Sequence, residues 1–402
     1  MRIVTMMLSA STALLSTSVV QTYELKLASS PLHIIQPEVP NVSATQEETD
    51  DFYDYLAGTF THLAFLDVLK DASINFDYVN TDPNNLSVNA QEYLRDRGVA
   101  IQWKNNSGAL VKEYYSLVFP ESHDEEFHDE EKPDHNGCTP RESDSERIRQ
   151  MEEKGEEKER KAIDRNMHKI PNGDLLSKDI STAIEENDGK DNELLSKAIS
   201  TAMEEEGYRH IETKIVGNGG NIVYSQKLKI LFVGTHKNSE STEAAKQIYE
   251  KLSAEAKAAG IKVISVEKKD PCHNVGYHLD TFFLELDGHL FIERSKLTDE
   301  TFNQLKKIFG QNITILTKEE AEKKATQAVL IEQDGKFKLV PSGPVPDSII
   351  SVCKEKGIEV IKISKENEDL ISSINPSSGL RCRTVHPNPA IPNTVVVQKL
   401  SL

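Results

Sequence analysis

Cysteine is scarce, with four residues in a chain of 402, too few for a disulfide scaffold. Cys138, Cys272, Cys353 and Cys382 include no CxxC pair, so the usual spacing of a structural zinc site is missing as well. Positive charge is in deficit, 47 Lys and Arg against 65 Asp and Glu, for a formal net charge of -18. Binding along a phosphate backbone draws its affinity from basic side chains, so nucleic acid is excluded as a general partner. Beyond the N-terminus no apolar run reaches the roughly 20 residues of a membrane span, which argues against integral membrane association. Apolar residues make up only 37% of the chain, so a polar block must dilute an ordinary core.

Residues 1–20 carry one early Arg, no acid and a mostly apolar, Ser/Thr-rich run. They are compatible with a secretory signal peptide and with a buried first strand. Export to a secreted or periplasmic location is the preferred reading, and a cytoplasmic chain follows if the segment is no signal. The diluting block lies between about Pro120 and Thr213. It holds an acidic run with His123, His128 and His135, read as a solvated face and given no metal. Two near-copies of an amphipathic helix follow, DLLSKDISTAIEEN from Asp174 and ELLSKAISTAMEEE from Glu193. The chain therefore divides into an N-terminal extension (1–22), a first domain part (23–119), an acidic, partly helical or disordered insertion (120–213) and the rest of that domain (214–402).

Within the domain, short β-rich runs alternate with amphipathic helices. KLASSPLHIIQP reads as a strand, Thr45 to about Lys70 as a helix, and INFDYVN and VAIQWK as strands. NIVYS and KILFVGT read as a hairpin, Ser241 to Ala259 as a helix and IKVISVE as a strand. The order repeats in TFFLELDGHLFIE, Asp299 to Phe309 and NITILT, then again in ATQAVLIEQDGKFKLVP, Asp347 to Lys356 and IEVIKIS, with an Asp-Gly turn in each hairpin. Strand, strand, helix, strand predicts an α/β fold of repeated ββαβ modules, unlike the single alternation of a doubly wound sheet.

Four segments at predicted strand edges combine glycine, charge and reactive side chains: YLRDRGVAI, GNGGNIVYS, GYHLDTFF and SSGLRCRT. Cys382 follows Gly379 and is flanked by Arg381 and Arg383, an arrangement that favours the thiolate. His278 and Asp280, two apart on an extended segment, predict an acid/base and its carboxylate on one face, or else an ordinary polar contact. Arg95 and Asp96 form either part of a site or a turn ion pair worth little. In GNGG no Lys-Ser/Thr follows and no helix opens, which excludes a phosphate loop.

In order, these segments resemble the guanidino-modifying enzymes of the pentein superfamily, which include arginine deiminases, dimethylarginine dimethylaminohydrolases, agmatine deiminases and amidinotransferases. The resemblance runs from about residue 25 to 400, interrupted by the insertion. It rests on Tyr93, Arg95 and Asp96; on Asn218, Gly219, Gly220 and Asn221; on His278, Asp280 and Thr281; and on Gly379 to Cys382. It implies a five-fold pseudosymmetric α/β propeller of ββαβ modules and no cofactor or metal. Cys382 would be the nucleophile, His278 the acid/base, Asp96 and Asp280 the grip on the guanidinium, and Arg95, Asn218 and Arg381 further substrate-binding residues. The expected partner is a small guanidino substrate or a peptidyl arginine.

Two departures shape the expectation. Asn218 stands where those hydrolases have an acid, and Asn238 lies near where arginine deiminases supply an Arg for the substrate carboxylate. Deimination through a covalent thiouronium is the preferred reaction. An amidinotransferase, or a catalytically impaired binding protein using its acidic insertion as an arm, is the alternative. A cysteine protease pair is disfavoured by the HLDT context.

Overall fold

Two Asp-Gly dipeptides set hairpins, and both do so through positive φ. Asp287 (φ 45°) and Gly288 (φ 79°) close one, Asp334 (φ 53°) and Gly335 (φ 71°) the other, the two-residue turn whose twist matches antiparallel strands. In the computed structural model the described residues are 64–74, 76–79, 94–118, 188–236, 241–269, 278–365, 367–368, 371, 379–390 and 396–398. All of them lie in one compact unit, Pro40–Leu402. The other unit, Met1–Val39, contains the expected signal segment and the KLASSPLHIIQP strand and lies outside the described residues, as do the start of the Thr45 helix and most of the insertion.

Among the described residues the strands form five three-stranded sheets. β2 (Gly98–Lys104), β3 (Leu110–Val118) and β4 (Arg209–Val216) make the first, and β5 (Ile222–Ser225), β6 (Ile230–His236) and β7 (Lys262–Lys268) the second. β8 (Phe283–Leu286), β9 (His289–Glu293) and β10 (Ile313–Leu316) make the third, and β11 (Val329–Gln333), β12 (Lys336–Val340) and β13 (Glu359–Val360) the fourth. In each, the middle strand is antiparallel to the first and parallel to the third. The fifth repeats the pattern with pieces from distant parts of the chain: β15 (Val396–Gln398) pairs antiparallel with β14 (Thr384–Val385) and parallel with β1 (Asp77–Val79).

The helix Asp188–Glu205 precedes β4 and buries Leu195, Ile199 and Met203 against Leu94, Ala100, Tyr114 and Val385. The second copy of the duplicated helix is thus the crossover of the first module. The boundary drawn at Thr213 falls inside β4, and the domain resumes by Asp188. β3, which the sequence reading leaves unassigned, ends against the other boundary of the insertion, at Pro120. The single helix expected from Ser241 to Ala259 is two, Ser241–Lys251 and Ala254–Ala258. The break comes at Ser253, whose hydroxyl accepts from the Ala256 N–H and caps the second helix.

Apolar clusters join successive sheets. Val99, Ile101 and Trp103 of β2 pack with Tyr224, Leu231 and Val233 of the second sheet; Val223, Phe232 and Val266 pack with Phe283, Leu290 and Ile292 of the third. Leu284 and Phe291 meet Leu330 and Leu339, Val329 and Val340 meet the helical residues 64–71, and Val385 of the fifth sheet meets Ala100 of the first. Each fully buried side chain of this size contributes about 1.5–3 kcal/mol relative to exposure.

The segment His386–Ala390 touches all four other sheets. His386 O accepts from Arg95 Nη1 (3.1 Å) and Pro389 O from Gln102 Nε2 (2.8 Å), both beside the first sheet. Asn388 O accepts from the Gln226 N–H (3.3 Å), and Asn388 Nδ2 donates to Glu285 O (2.9 Å). Ala390 exchanges backbone bonds with Leu330 and Glu332.

Candidate active site

Short turns enter the first strand of every sheet, and four of them carry the residues singled out in the sequence. They are Leu94–Arg97 before β2, Gly219–Asn221 before β5, Leu279–Thr281 before β8 and the Gly379–Arg383 turn before β14. The turn at Lys324–Gln327 before β11 completes the set.

Hydrogen bonds connect these turns in a closed series. The Gly220 N–H donates to Asp96 Oδ1 (3.3 Å), and the Leu279 N–H donates to Asn221 Oδ1 (3.2 Å). Thr326 Oγ1 donates to Thr281 O (2.5 Å). The Ser342 hydroxyl accepts from the Leu380 N–H (2.8 Å) and donates to Gln327 O (2.5 Å), joining the fourth turn to the fifth. The Arg95 N–H donates to Cys382 O (3.0 Å), returning to the first.

The paired glycines are required by this packing. A Cβ on Gly219 would lie 1.9 Å from Arg95 O, and one on Gly220 would lie 2.4 Å from His278 Nδ1. Asn218 caps the turn, its Oδ1 accepting from the Gly220 N–H (2.8 Å). A neutral amide oxygen performs that capping as well as a carboxylate does.

His278 stands at the head of a 3-10 turn, not on an extended segment, and its carboxylate neighbour is Asp96, with His278 Nδ1 3.7 Å from Asp96 Oδ1. Asp280 lies within that turn, so the expected placement of His278 and Asp280 on one strand face is corrected. Burial raises the Asp96 carboxyl to about 6, with Asp280 adding to the rise, while His278, Asn218 and the Gly220 N–H oppose it.

Asp280 is fully buried, and neither of its oxygens accepts a hydrogen bond among the described residues. Arg381, 1% exposed, likewise has no hydrogen-bond partner for its three guanidinium nitrogens there. Burial lowers its pKa, with Asp280, Cys382 and Glu285 resisting. Arg95 is committed differently: its Nη1 and Nη2 donate to His386 O and Ile222 O.

Cys382 is 2% exposed. Burial first, then Asp280 and Asp96, push its thiol well above the ordinary value, while a hydrogen bond from Gly379 and the Arg383 charge pull the other way. The expectation of a thiolate favoured by adjacent arginines is corrected for the protein without ligand: burial first, and then the carboxylates brought near in space, outweigh the arginines near in sequence. Tyr93 lies outside the described residues.

The sequence reading passed over Lys268, the last residue of β7, although a lysine ending an apolar strand is a recognisable signal. It is buried, donates to Asn221 Oδ1 (3.1 Å), and burial lowers it to about 8 against the pull of Asp280. Among the described residues no group of His, Cys, Asp and Glu is arranged to hold a metal ion, and no helix is long and apolar enough to cross a membrane.

No family model and no curated protein matches the chain. Solved structures do. The N-terminal domain of ArgZ bound to substrate, described as an arginine dihydrolase from the ornithine-ammonia cycle in cyanobacteria, is 19% identical over 47% of this chain and 64% of that one, with a TM-score of 0.34. Unliganded AgrE is 18% identical over 50% of this chain and 28% of that one (TM-score 0.36). SxtG, an amidinotransferase from Microseira wollei in the saxitoxin biosynthetic pathway, is 14% identical over 42% and 46% (TM-score 0.29). The chain thus spans less than two thirds of the length of each of these.

Proposed function

We propose that this protein is a cysteine-dependent enzyme that hydrolyses a guanidino group to a ureido product. The observation that carries this reading is Asp280, a fully buried carboxylate whose two oxygens have no donor among the described residues and which acts electrostatically on Cys382. A guanidinium is planar and cationic and presents paired N–H donors, the geometry that suits a carboxylate with two open oxygens. The five sheets, joined by a closed series of turns and apolar clusters, are inferred to stand around a pseudo-five-fold axis with these turns at one end.

The raised thiol has a direct mechanistic meaning. In the free protein burial first, and then the carboxylates, raise the Cys382 thiol and disfavour a further negative charge. A bound guanidinium supplies the positive charge that reverses this balance, so the Cys382 thiol passes its proton to the His278 imidazole as substrate arrives and the thiolate forms. The sulfur then attacks the central carbon to give a tetrahedral adduct. His278, beside Asp96, carries a proton to the leaving nitrogen, whose C–N bond breaks to leave a thiouronium. Water, deprotonated by the same imidazole, adds to that carbon. Collapse expels the Cys382 thiolate and forms the ureido carbonyl, so one guanidinium and one water yield a urea and an ammonium or amine.

The test is incubation with a chloroacetamidine label, mass spectrometry of Cys382, and an assay for ureido product on arginine, agmatine, methylarginines and an arginyl peptide. An adduct at Cys382 and product from one of these are expected. Absence of both overturns the reading. An added acceptor amine that diverts the guanidino carbon to itself would assign the transferase reaction. Replacing His278 with Gln is expected to lower turnover by about 10²- to 10⁴-fold, the usual contribution of a general acid/base.

A further inference from the structure

Arg95 makes three hydrogen bonds, and each reaches a segment that carries the site. Its N–H donates to Cys382 O (3.0 Å), its Nη1 to His386 O (3.1 Å) and its Nη2 to Ile222 O (2.9 Å), the residue that follows the Gly219–Asn221 turn. The Arg95 carbonyl closes the same interface from the other side, packed so tightly on Gly219 that no Cβ fits. The side chain is 2% exposed. We propose that Arg95 is a positioning residue, holding the Cys382 turn and the Gly219–Asn221 turn at fixed distance from Asp96, and that it does not bind substrate; the proposal rests on the guanidino reading above.

Two carbonyls on different segments need two donors at a fixed separation, which the rigid fork of a guanidinium provides and the single ammonium of lysine does not. The Arg95 charge stands near Asp280, Cys382 and Asp96, so it also offsets the negative groups that surround the thiol. Arg381 differs: its guanidinium makes no hydrogen bond among the described residues, although Asp280 and Glu285 act on it electrostatically.

The experiment compares wild type with Arg95→Lys and Arg95→Ala, the first carrying the test if the second does not fold. For Arg95→Lys, kcat is expected to fall about 100-fold with KM within about 3-fold, and by the same factor on arginine as on agmatine, as for a nucleophile displaced by a fraction of its proper distance. Amide hydrogen exchange in the peptide spanning residues 379–386 is expected to quicken about tenfold, with the helix Asp347–Lys356 unchanged. A KM increase that exceeds the kcat loss, or unchanged exchange in 379–386, would overturn the proposal. The exchange measurement needs no substrate, so it decides the role of Arg95 even if wild type turns over no guanidino compound. Gln102→Leu removes another tie to the 386–390 segment without touching the Cys382 turn, and its kcat is expected to stay within about 3-fold. A loss equal to that of Arg95→Lys would also overturn the proposal, since any tether to that segment would then serve.

Discussion

Cys353 and Cys382 are both buried free thiols, and burial raises the pKa of both, yet they sit in opposite kinds of place. Cys353, on the helix Asp347–Lys356, packs among Leu284, Leu286, Phe291, Leu316 and Ile358, and burial alone lifts it to about 11. Cys382 is surrounded by Asp96, Asp280, Arg95, Arg381 and Arg383. An apolar wall cannot be neutralised, so Cys353 behaves as a small hydrophobe. Opposed charges can be rebalanced by a ligand, which is what the proposed reading asks of a guanidinium at Cys382. A raised pKa therefore does not by itself mark a cysteine as a structural one; what surrounds the sulfur has to be read with it.

The sharpest way to break that contrast is to remove each sulfur. Cys382→Ala is expected to lower turnover by at least about 10⁴-fold, as loss of a covalent nucleophile does, while Cys353→Ala keeps kcat and KM. Equal activities in the two variants would dissolve the distinction. Next in size, Asp280→Asn is expected to reduce kcat/KM by about 10³-fold, the scale of losing one partner of a buried charged pair. In the same variant, iodoacetamide should alkylate Cys382 faster than in wild type when no substrate is present, because a carboxylate that raises the thiol is gone. Slower alkylation would reverse the assigned sign.

A third buried group extends the comparison to acids. Glu285 is raised from 4.5 to about 7 by burial, against hydrogen bonds from Gly288 and Ser225. The folded protein keeps this proton longer than the unfolded chain, so the associated stability is full below about pH 4.5 and lost as pH rises through about 7. Urea titrations of Glu285→Gln should show a gain over wild type of about 3 kcal/mol at pH 8 that vanishes near pH 4. A gain of the same size at both values would remove ionisation as its cause. The smallest effect belongs to Cys353→Ala, about 1–2 kcal/mol of stability for the cavity left in an apolar cluster.

Much of the module order was legible because local rules governed it. Asp287-Gly288 and Asp334-Gly335 announced their hairpins, and the apolar faces of Asp299–Phe309 and Asp347–Lys356 announced helices. The fifth sheet was not, since β1 and β15 pair across most of the chain and neither carries a local signal of its partner. The site divides the same way. Residue types at Asp96, His278, Asp280 and Cys382 were readable, but the approach of His278 to Asp96 and the sign of the Cys382 shift depend on separations in space. Arg95 was readable as a charge and not as a crosslink, because its acceptors are backbone carbonyls, which every residue possesses.

The segment His386–Ala390 reaches every other sheet within a few residues of Cys382, and the sheet it belongs to closes only when Asp77 meets Val396. Pairings so distant along the chain form slowly, after local hairpins and helices are in place. On the reading proposed above, the placement of Cys382 beside Asp96 and Asp280 waits on that closure, because the segment just after it supplies the ties to the other sheets. Topology alone would then withhold the proposed chemistry from an unfinished protein.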